Sequence, residues 1–240
     1  MITRRQFNLS ALAMVGMAAT RGLMAGAPAA KAETMSKVTA VDCHAHVFHR
    51  GLAVVDPKKD LATLNDLDKA GIVGIRMNLA SASQLPDVSQ GAWKELVAEC
   101  VRLHWHVEIY DNANRLENTM APLLKAGANV VVDHFGRPDP KIGVDDPGFR
   151  FLVGAAYSRK VWVKLSAPYR SSLETAAAAA PMLLKHFGPE RLVWGSDWPF
   201  TNFEKNTRYP EMRALLDKWV PDAKQREMIL AETPSKLYRF

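Results

Sequence analysis

Apolar and polar positions along the chain fall into two alternating rhythms. Short apolar runs of β type occur at Thr39–Phe48, Gly51–Val55, Val73–Leu79, His106–Asp111, Asn129–His134, Val161–Ser166 and Leu192–Ser196. Between them lie helical patterns at Leu61–Ala70, Trp93–Leu103, Leu116–Ala126, Pro147–Ser158, Leu173–Phe187 and Pro210–Trp219. Gly71, Gly127 and Gly188 stand where helices end and a positive φ is wanted. Pro147 and Pro210 suit first helical turns. Ser171 with Glu174 reads as a capping box. Pro181 sits inside an alanine-rich helix and predicts a kink or break, because it removes a donor and crowds the preceding turn.

Seven strands alternating with helices argue for a parallel sheet. Continuous apolar strands fit a sheet covered on both faces. An open doubly wound sheet and a closed barrel both satisfy that pattern. No glycine-rich phosphate loop follows the first strand, as a dinucleotide-binding fold would usually show. Polar residues instead gather at the C-terminal end of strand after strand, where barrel enzymes keep their chemistry. The expected fold is therefore α/β, a TIM-type (β/α) barrel.

The first strand, Val41–Phe48, reads Val-Asp-Cys-His-Ala-His-Val-Phe. Alternation turns Asp42, His44 and His46 to one face, and Cys43 and Ala45 to the other. Two imidazoles one pleat apart can grip one metal ion or one substrate oxygen. Later strand ends add Arg76 and Asn78, Tyr110, Asp133 and His134, Lys164 and Ser166, and finally Asp197, with Tyr169 and Arg170 just beyond the sixth run. Each alone has a bland alternative as a surface charge, a core cap or a turn residue. Their convergence on one mouth is the argument. His104 and His106 begin their strand, at the stability end of a barrel, and read as structural. His186 lies on a helix and reads as solvated.

Composition changes this picture at the N-terminus. Of 240 residues, 48% are apolar and 23% charged, as in an ordinary globular protein. Residues 1–32 stand apart: Arg4-Arg5 precede Phe7, the Ala/Met-rich run Leu9–Ala19 follows, and Ala30-Lys31-Ala32 supplies small residues around a cleavage point. This predicts an export signal of twin-arginine type, a periplasmic destination and the twin-arginine machinery as a partner. The domain proper is then 33–240. The signal holds Arg4, Arg5, Arg21 and Lys31 and no acid, so 27 of the 31 basic groups remain against 25 acidic ones. The basicity belongs largely to the signal, and no basic stripe argues for nucleic acid. No later stretch approaches the roughly 20 apolar residues of a membrane span. Cys43 and Cys100 read as two buried thiols rather than a bridge, although an exported protein permits one.

Three motifs carry a resemblance: Asp-x-His-x-His on the first strand, Val-Asp-His-Phe-Gly at 132–136 and Trp-Gly-Ser-Asp-Trp-Pro at 194–199. Together they resemble the amidohydrolase superfamily, in the branch of 2-pyrone-4,6-dicarboxylate lactonase and sugar lactonases. The likeness runs from Val41 to Thr233-Pro-Ser-Lys-Leu-Tyr. It implies a hydrolase of a lactone or related cyclic ester, with a small carboxylate-bearing substrate. In it His44, His46, His134 and Asp197 polarise the carbonyl and activate water, and Arg76, Tyr110 and Arg170 bind substrate carboxylate or oxygen, with Asn78 and Ser166 beside them. The resemblance leaves two states open. One has a single Zn²⁺ on His44, His46 and Asp197, three ligands plus water. The other has no metal. A binuclear centre is disfavoured, because Arg76 and Tyr110 stand where its bridging lysine and further histidine would be.

One departure bears on the barrel. His46-Val-Phe-His-Arg runs almost directly into Gly51, where the branch has a loop, a helix and another strand. Parallel strands need a crossover of about a dozen residues, so a βα unit is missing and the barrel is expected to be incomplete. Two further readings compete with the hydrolase: a metal-dependent decarboxylase of the same superfamily, and a truncated, non-catalytic binding protein that keeps the pocket.

Overall fold

The computed structural model of the chain describes residues 51–239. The expected 1–32 signal and the expected Val41–Phe48 strand with Cys43, His44 and His46 lie outside them. Six strands form one sheet in sequence order, β1 (Gly51–Ala53), β2 (Ile72–Asn78), β3 (His106–Tyr110), β4 (Asn129–Val132), β5 (Val161–Leu165) and β6 (Leu192–Trp194). Every neighbouring pair is parallel. Each strand sits beside its sequence neighbour, so each connection crosses over and returns in the same direction. The sheet curls into a half-barrel, the incomplete TIM-type α/β architecture that the alternation implies.

The strands are not apolar on both faces. Along β3, His106, Glu108 and Tyr110 alternate with Val107 and Ile109. The outward residues form the main core: Ile75, Met77, Val107, Ile109, Val130, Val132, Val161, Val163, Leu165, Leu192 and Trp194. Against them pack α2 (Gly91–Arg102), α3 (Ala113–Lys125), α4 (Pro147–Gly154) and α5 (Leu173–Phe187), following the short α1 (Leu64–Lys69). The buried helix positions Leu96, Cys100, Leu116, Met120, Leu123, Leu152, Ala176 and Leu183 recur at helical spacing. Each of the leucines and Met120, fully buried, stabilises by about 1.5–3 kcal/mol. Cys100 is a buried free thiol.

The inward face is different. Register places Gly74 beside His106, Arg76 beside Glu108 and Asn78 beside Tyr110. It also places Lys164 beside Val193. At Gly74 a Cβ would stand 2.5 Å from the His106 carbonyl oxygen, so only glycine allows this approach of β2 to β3.

Three local expectations need correction. Helix α5 runs unbroken across Pro181. Its lost hydrogen bond would have been to Ala177, and both residues are exposed, so water reaches the orphaned carbonyl. The α5 cap is Ser172 rather than Ser171: Ser172 Oγ accepts from Thr175 N at 2.9 Å, while Ser171 Oγ donates to Pro138 O at 2.7 Å. After α6 (Tyr209–Trp219), the last segment is also helical: α7 (Ala223–Glu227), a π-turn over Met228–Glu232 and α8 (Thr233–Tyr238).

Candidate active site

The strand ends meet as the barrel argument requires. His134 follows β4 and Asp197 follows β6, and both are buried. His134 Nε2 and Asp197 Oδ1 are 3.8 Å apart. That separation is beyond hydrogen-bond distance. His134 Nδ1 lies 2.8 Å from Ser166 Oγ at the end of β5, which fixes the ring plane. The Tyr110 ring meets the His134 ring edge-on, with centroids 5.3 Å apart.

Asp197 Oδ2 accepts from Tyr169 Oη at 2.7 Å and from Arg170 Nε at 2.8 Å. Arg170 Nη2 lies 2.7 Å from the same oxygen. Burial works against the Arg170 guanidinium, but Asp197 outweighs it and holds its pKa above the ordinary value. Burial, then Asp197, pushes the Tyr169 phenol up, so it stays a donor. Arg170 Nη1 also reaches the Tyr110 hydroxyl at 3.3 Å.

Backbone strain concentrates here. Non-glycine residues take positive φ at His134 (50°), Phe135 (58°) and Arg137 (48°) after β4, Ala167 (43°) after β5, and Asp197 (65°) and Phe200 (64°) after β6. Such conformations cost about 1–3 kcal/mol each and gather at functional sites.

Beneath the mouth lies a set of paired charges. Arg76 Nε donates to Glu108 Oε1 at 2.8 Å and Arg76 Nη2 to Asp133 Oδ2 at 2.6 Å. Lys164 Nζ donates to Glu108 Oε2 and stands 3.2 Å from Asp133 Oδ1. Glu108, Asp133 and Lys164 are buried, and Arg76 nearly so. Burial opposes the charge on Lys164, yet Asp133 and Glu108 together hold its pKa above the usual lysine value. The same two carboxylates do so for Arg76 against the same opposition.

The structure therefore brings His134, Asp197, Ser166, Tyr110 and Arg170 into one contact network, with Arg76 beneath. Asn78 is exposed at the end of β2 and lines a separate cleft of about 400 Å³ with Arg76 and Trp93. His44 and His46 lie outside the described residues. Among the described residues no three His, Cys, Asp or Glu side chains are grouped to hold a metal ion.

Two site residues escape a reading by strand ends. Glu108 sits mid-strand, where an acid inside an apolar run was the available signal. Arg137 follows His134 by three positions. Its guanidinium lies 4.7 Å from the Tyr110 ring centroid, with Arg76 and Arg170 at 5.2 and 5.7 Å from the same ring. Its Nε and Nη1 are buried without a hydrogen-bond partner, and it lines a cavity of about 510 Å³ with Arg170. Burial pulls its pKa below the usual arginine value. An anion entering that cavity would relieve the deficit. A second supporting contact holds the rim: Arg115 bonds the buried Asp111 and donates to the Leu79 and Ala82 carbonyls at 2.6 and 2.8 Å.

A parallel half-barrel with titratable groups gathered where its strands end defines a (β/α)-barrel protein with its site at the C-terminal face. The chain belongs to the amidohydrolase family, whose model matches residues 3–240. It is 29% identical over 198 residues to 4-sulfomuconolactone hydrolase of Hydrogenophaga intermedia, covering 79% of this chain and 65% of that protein. It is 31% identical over 207 residues to a 2-pyrone-4,6-dicarboxylate hydrolase of Comamonas testosteroni, covering 79% and 66%. The chain thus spans just under two thirds of the length of these relatives. The structure superposes on a Pseudomonas putida protein assigned as a 2-pyrone-4,6-dicarboxylic acid hydrolase, with a TM-score of 0.74, 33% identity, and coverage of 79% of this chain and 71% of that one.

Proposed function

We propose that the protein hydrolyses a lactone or related cyclic ester that carries a carboxylate. One observation carries the reading: His134 and Asp197 face each other beside Tyr110, whose ring centroid has the Arg137 and Arg170 guanidinium groups at 4.7 and 5.7 Å and Arg76 beneath. Relatives named as a 4-sulfomuconolactone hydrolase, a 2-pyrone-4,6-dicarboxylate hydrolase and a D-galactarolactone isomerase support the substrate class.

Asp197 acts as general base and takes a proton from water as the water oxygen bonds to the ester carbonyl carbon. His134, with His44 and His46, donates to the oxyanion of the tetrahedral intermediate. The ring C–O bond then breaks, and Asp197 returns its proton to the departing oxygen, giving an open-chain acid. Arg170 and Tyr169 hold the Asp197 carboxylate in place. Ser166 orients His134. Arg137 receives the substrate carboxylate, and Tyr110 forms the floor beneath it.

A zinc ion on His44, His46 and Asp197 would supply Lewis acidity to the same carbonyl. Two of those ligands lie outside the described residues, and Asp197 Oδ2 already receives Arg170 and Tyr169. The described donors do not make a metal site by themselves, and no step above depends on one. Residues 1–32 are proposed as a twin-arginine signal delivering the protein to the periplasm; cell fractionation and N-terminal sequencing of the mature chain check this.

Acid release from a panel of lactones, with Asp197→Asn as control, tests the function. Turnover that falls by about 10²–10⁴ in the variant supports the reading. CO₂ release from an aromatic acid would replace it with the decarboxylase. Carboxylate binding with no turnover of any lactone would replace it with the binding protein, a reading that the short link between Phe48 and Gly51 favours.

A further inference from the structure

The opposite end of the sheet carries another cavity, of about 400 Å³, lined by His106 and Trp162 from the starts of β3 and β5, by Arg191 just before β6, and by Lys236 and Arg239 at the C-terminal helix. One wall is fixed: Thr233 Oγ1 donates to Pro189 O at 2.9 Å, tying α8 to the turn before β6. The Tyr238 ring meets the His106 ring edge-on at 5.2 Å.

Its charges are only partly matched. The Arg191 guanidinium lies 4.5 Å over the Trp162 ring, and its Nε and Nη1 are buried without a hydrogen-bond partner. His106 is 2% exposed, and its Nε2 is likewise buried without a partner. Arg239 is loosely held: Nη1 is 3.8 Å from Asp68 Oδ1, and Nη2 is 3.4 Å from the Leu103 carbonyl. Lys236 has no ion pair among the described residues. Glu190 is the one carboxylate among the lining residues. Leaving buried donors unmade costs about 1–3 kcal/mol each, so such groups normally have a partner. Arg191, just before β6, and His106, at the start of β3, line the same cavity with two more cations. That is the donor set of an oxyanion site, not of a packed floor.

We propose that this cavity binds a phosphate group, as free phosphate or as a small phosphomonoester, with Arg191, Lys236 and Arg239 as the charged contacts and His106 as a neutral donor. The volume leaves room for an organic body beside the phosphate. The site is distinct from the mouth, and its test does not depend on the lactone reading.

Thermal unfolding and calorimetric titration of the full chain with inorganic phosphate test it, with sodium chloride at matched ionic strength as control. The expected result is a saturable rise in Tm with phosphate and none with chloride, since a ligand that binds only the folded state stabilises it. Lys236→Ala, at an exposed position that leaves folding intact, weakens binding about tenfold, one charge-assisted contact's worth. Arg191→Gln abolishes the rise. Arg137→Gln, at the mouth, leaves it unchanged. No saturable rise, an undiminished rise in Lys236→Ala and Arg191→Gln, or loss in Arg137→Gln overturns the proposal. Glycerol 3-phosphate is the second arm: tighter binding than phosphate identifies a phosphomonoester as the occupant, and equal binding identifies free phosphate.

Discussion

The two faces of the same six strands are built on opposite principles. The outward face is a continuous layer of Val, Ile, Leu and Trp packed on helices, where stability comes from area and each side chain contributes separately. The inward face holds Arg76, Glu108, Asp133 and Lys164, where stability comes from pairing. Two cations meet two carboxylates in a space with little water, and each Nζ, Nε or Nη2 has an assigned oxygen. Area is graded, so the outer face tolerates trimming. Pairing is close to all-or-none, because removing one partner leaves a buried charge rather than a smaller contact. The proposed chemistry sits on the inward face, where fixed dipoles and charges are held in a low-dielectric setting.

Breaking the pairing gives the largest expected effect. Lys164→Met leaves Glu108 and Asp133 to share Arg76 and costs about 3–5 kcal/mol, read from urea unfolding. Val163→Ala, one position away on the outer face, costs about 2 kcal/mol for the methyl groups lost and the cavity left. The decisive comparison is the double variant Glu108→Leu with Lys164→Met. It removes one opposite pair and keeps Arg76 with Asp133, so it recovers most of the Lys164→Met loss. A double variant less stable than Lys164→Met alone would show that area, not charge balance, governs the inward face too.

The next effect is a pH dependence. Burial, then Lys164 and Arg239, lowers the His106 pKa to about 3. The unfolded chain binds that proton near pH 6.5. Between those values the unfolded state carries more protons, so stability falls as pH drops from about 6.5 toward about 3. The slope is at most about 1.4 kcal/mol per pH unit for one group. Lys164 has the opposite sign. Its folded pKa is raised, so its contribution is complete below about 10.4 and is lost only as pH climbs through the higher folded value. Urea midpoints at pH 7 and 5.5, in phosphate-free buffer, should separate for the parent chain and converge for His106→Gln. A parent chain equally stable at both would sink the assignment.

Much of this architecture was readable from the chain, for a physical reason. Strand and helix periods are local, and six apolar runs and six helical patterns match elements that begin or end within about three residues of them. Parallel strands then force their C-terminal ends to one side, so His134, Ser166, Tyr110, Arg170 and Asp197 could be gathered before any contact was known. What stayed hidden depended on distant partners. Glu108 finds Arg76 at 32 residues' separation and Lys164 at 56. Arg170 looked like a substrate ligand, and its commitment to Asp197 emerges only in three dimensions. Arg137 is aimed inward by a left-handed backbone that its residue type does not announce. The helices after Asp222 were missed because Ala-Lys-Gln-Arg-Glu carries little apolar period of its own.

The smallest change in stability should come with a change in function, and it sharpens the contrast between faces. Arg137 is a cation of the mouth whose Nε and Nη1 are buried without a hydrogen bond. Lys164 is a cation of the same face with two carboxylates in reach. Removing the paired cation destabilises the fold; removing the unpaired one relieves a desolvation deficit. Arg137→Gln should therefore unfold within about 1 kcal/mol of the parent, at or above its midpoint. If Arg137 receives the substrate carboxylate, the same variant loses a charge-assisted bond worth about 1.5–3 kcal/mol. That appears as a KM raised about tenfold or more for a carboxylate-bearing lactone, with kcat little changed, because the contact is made equally in the ground and transition states. A lactone without the carboxylate should not distinguish the two proteins. A fall in kcat with unchanged KM would instead place Arg137 beside the reacting carbonyl, and a large loss of stability would return it to the paired class with Lys164.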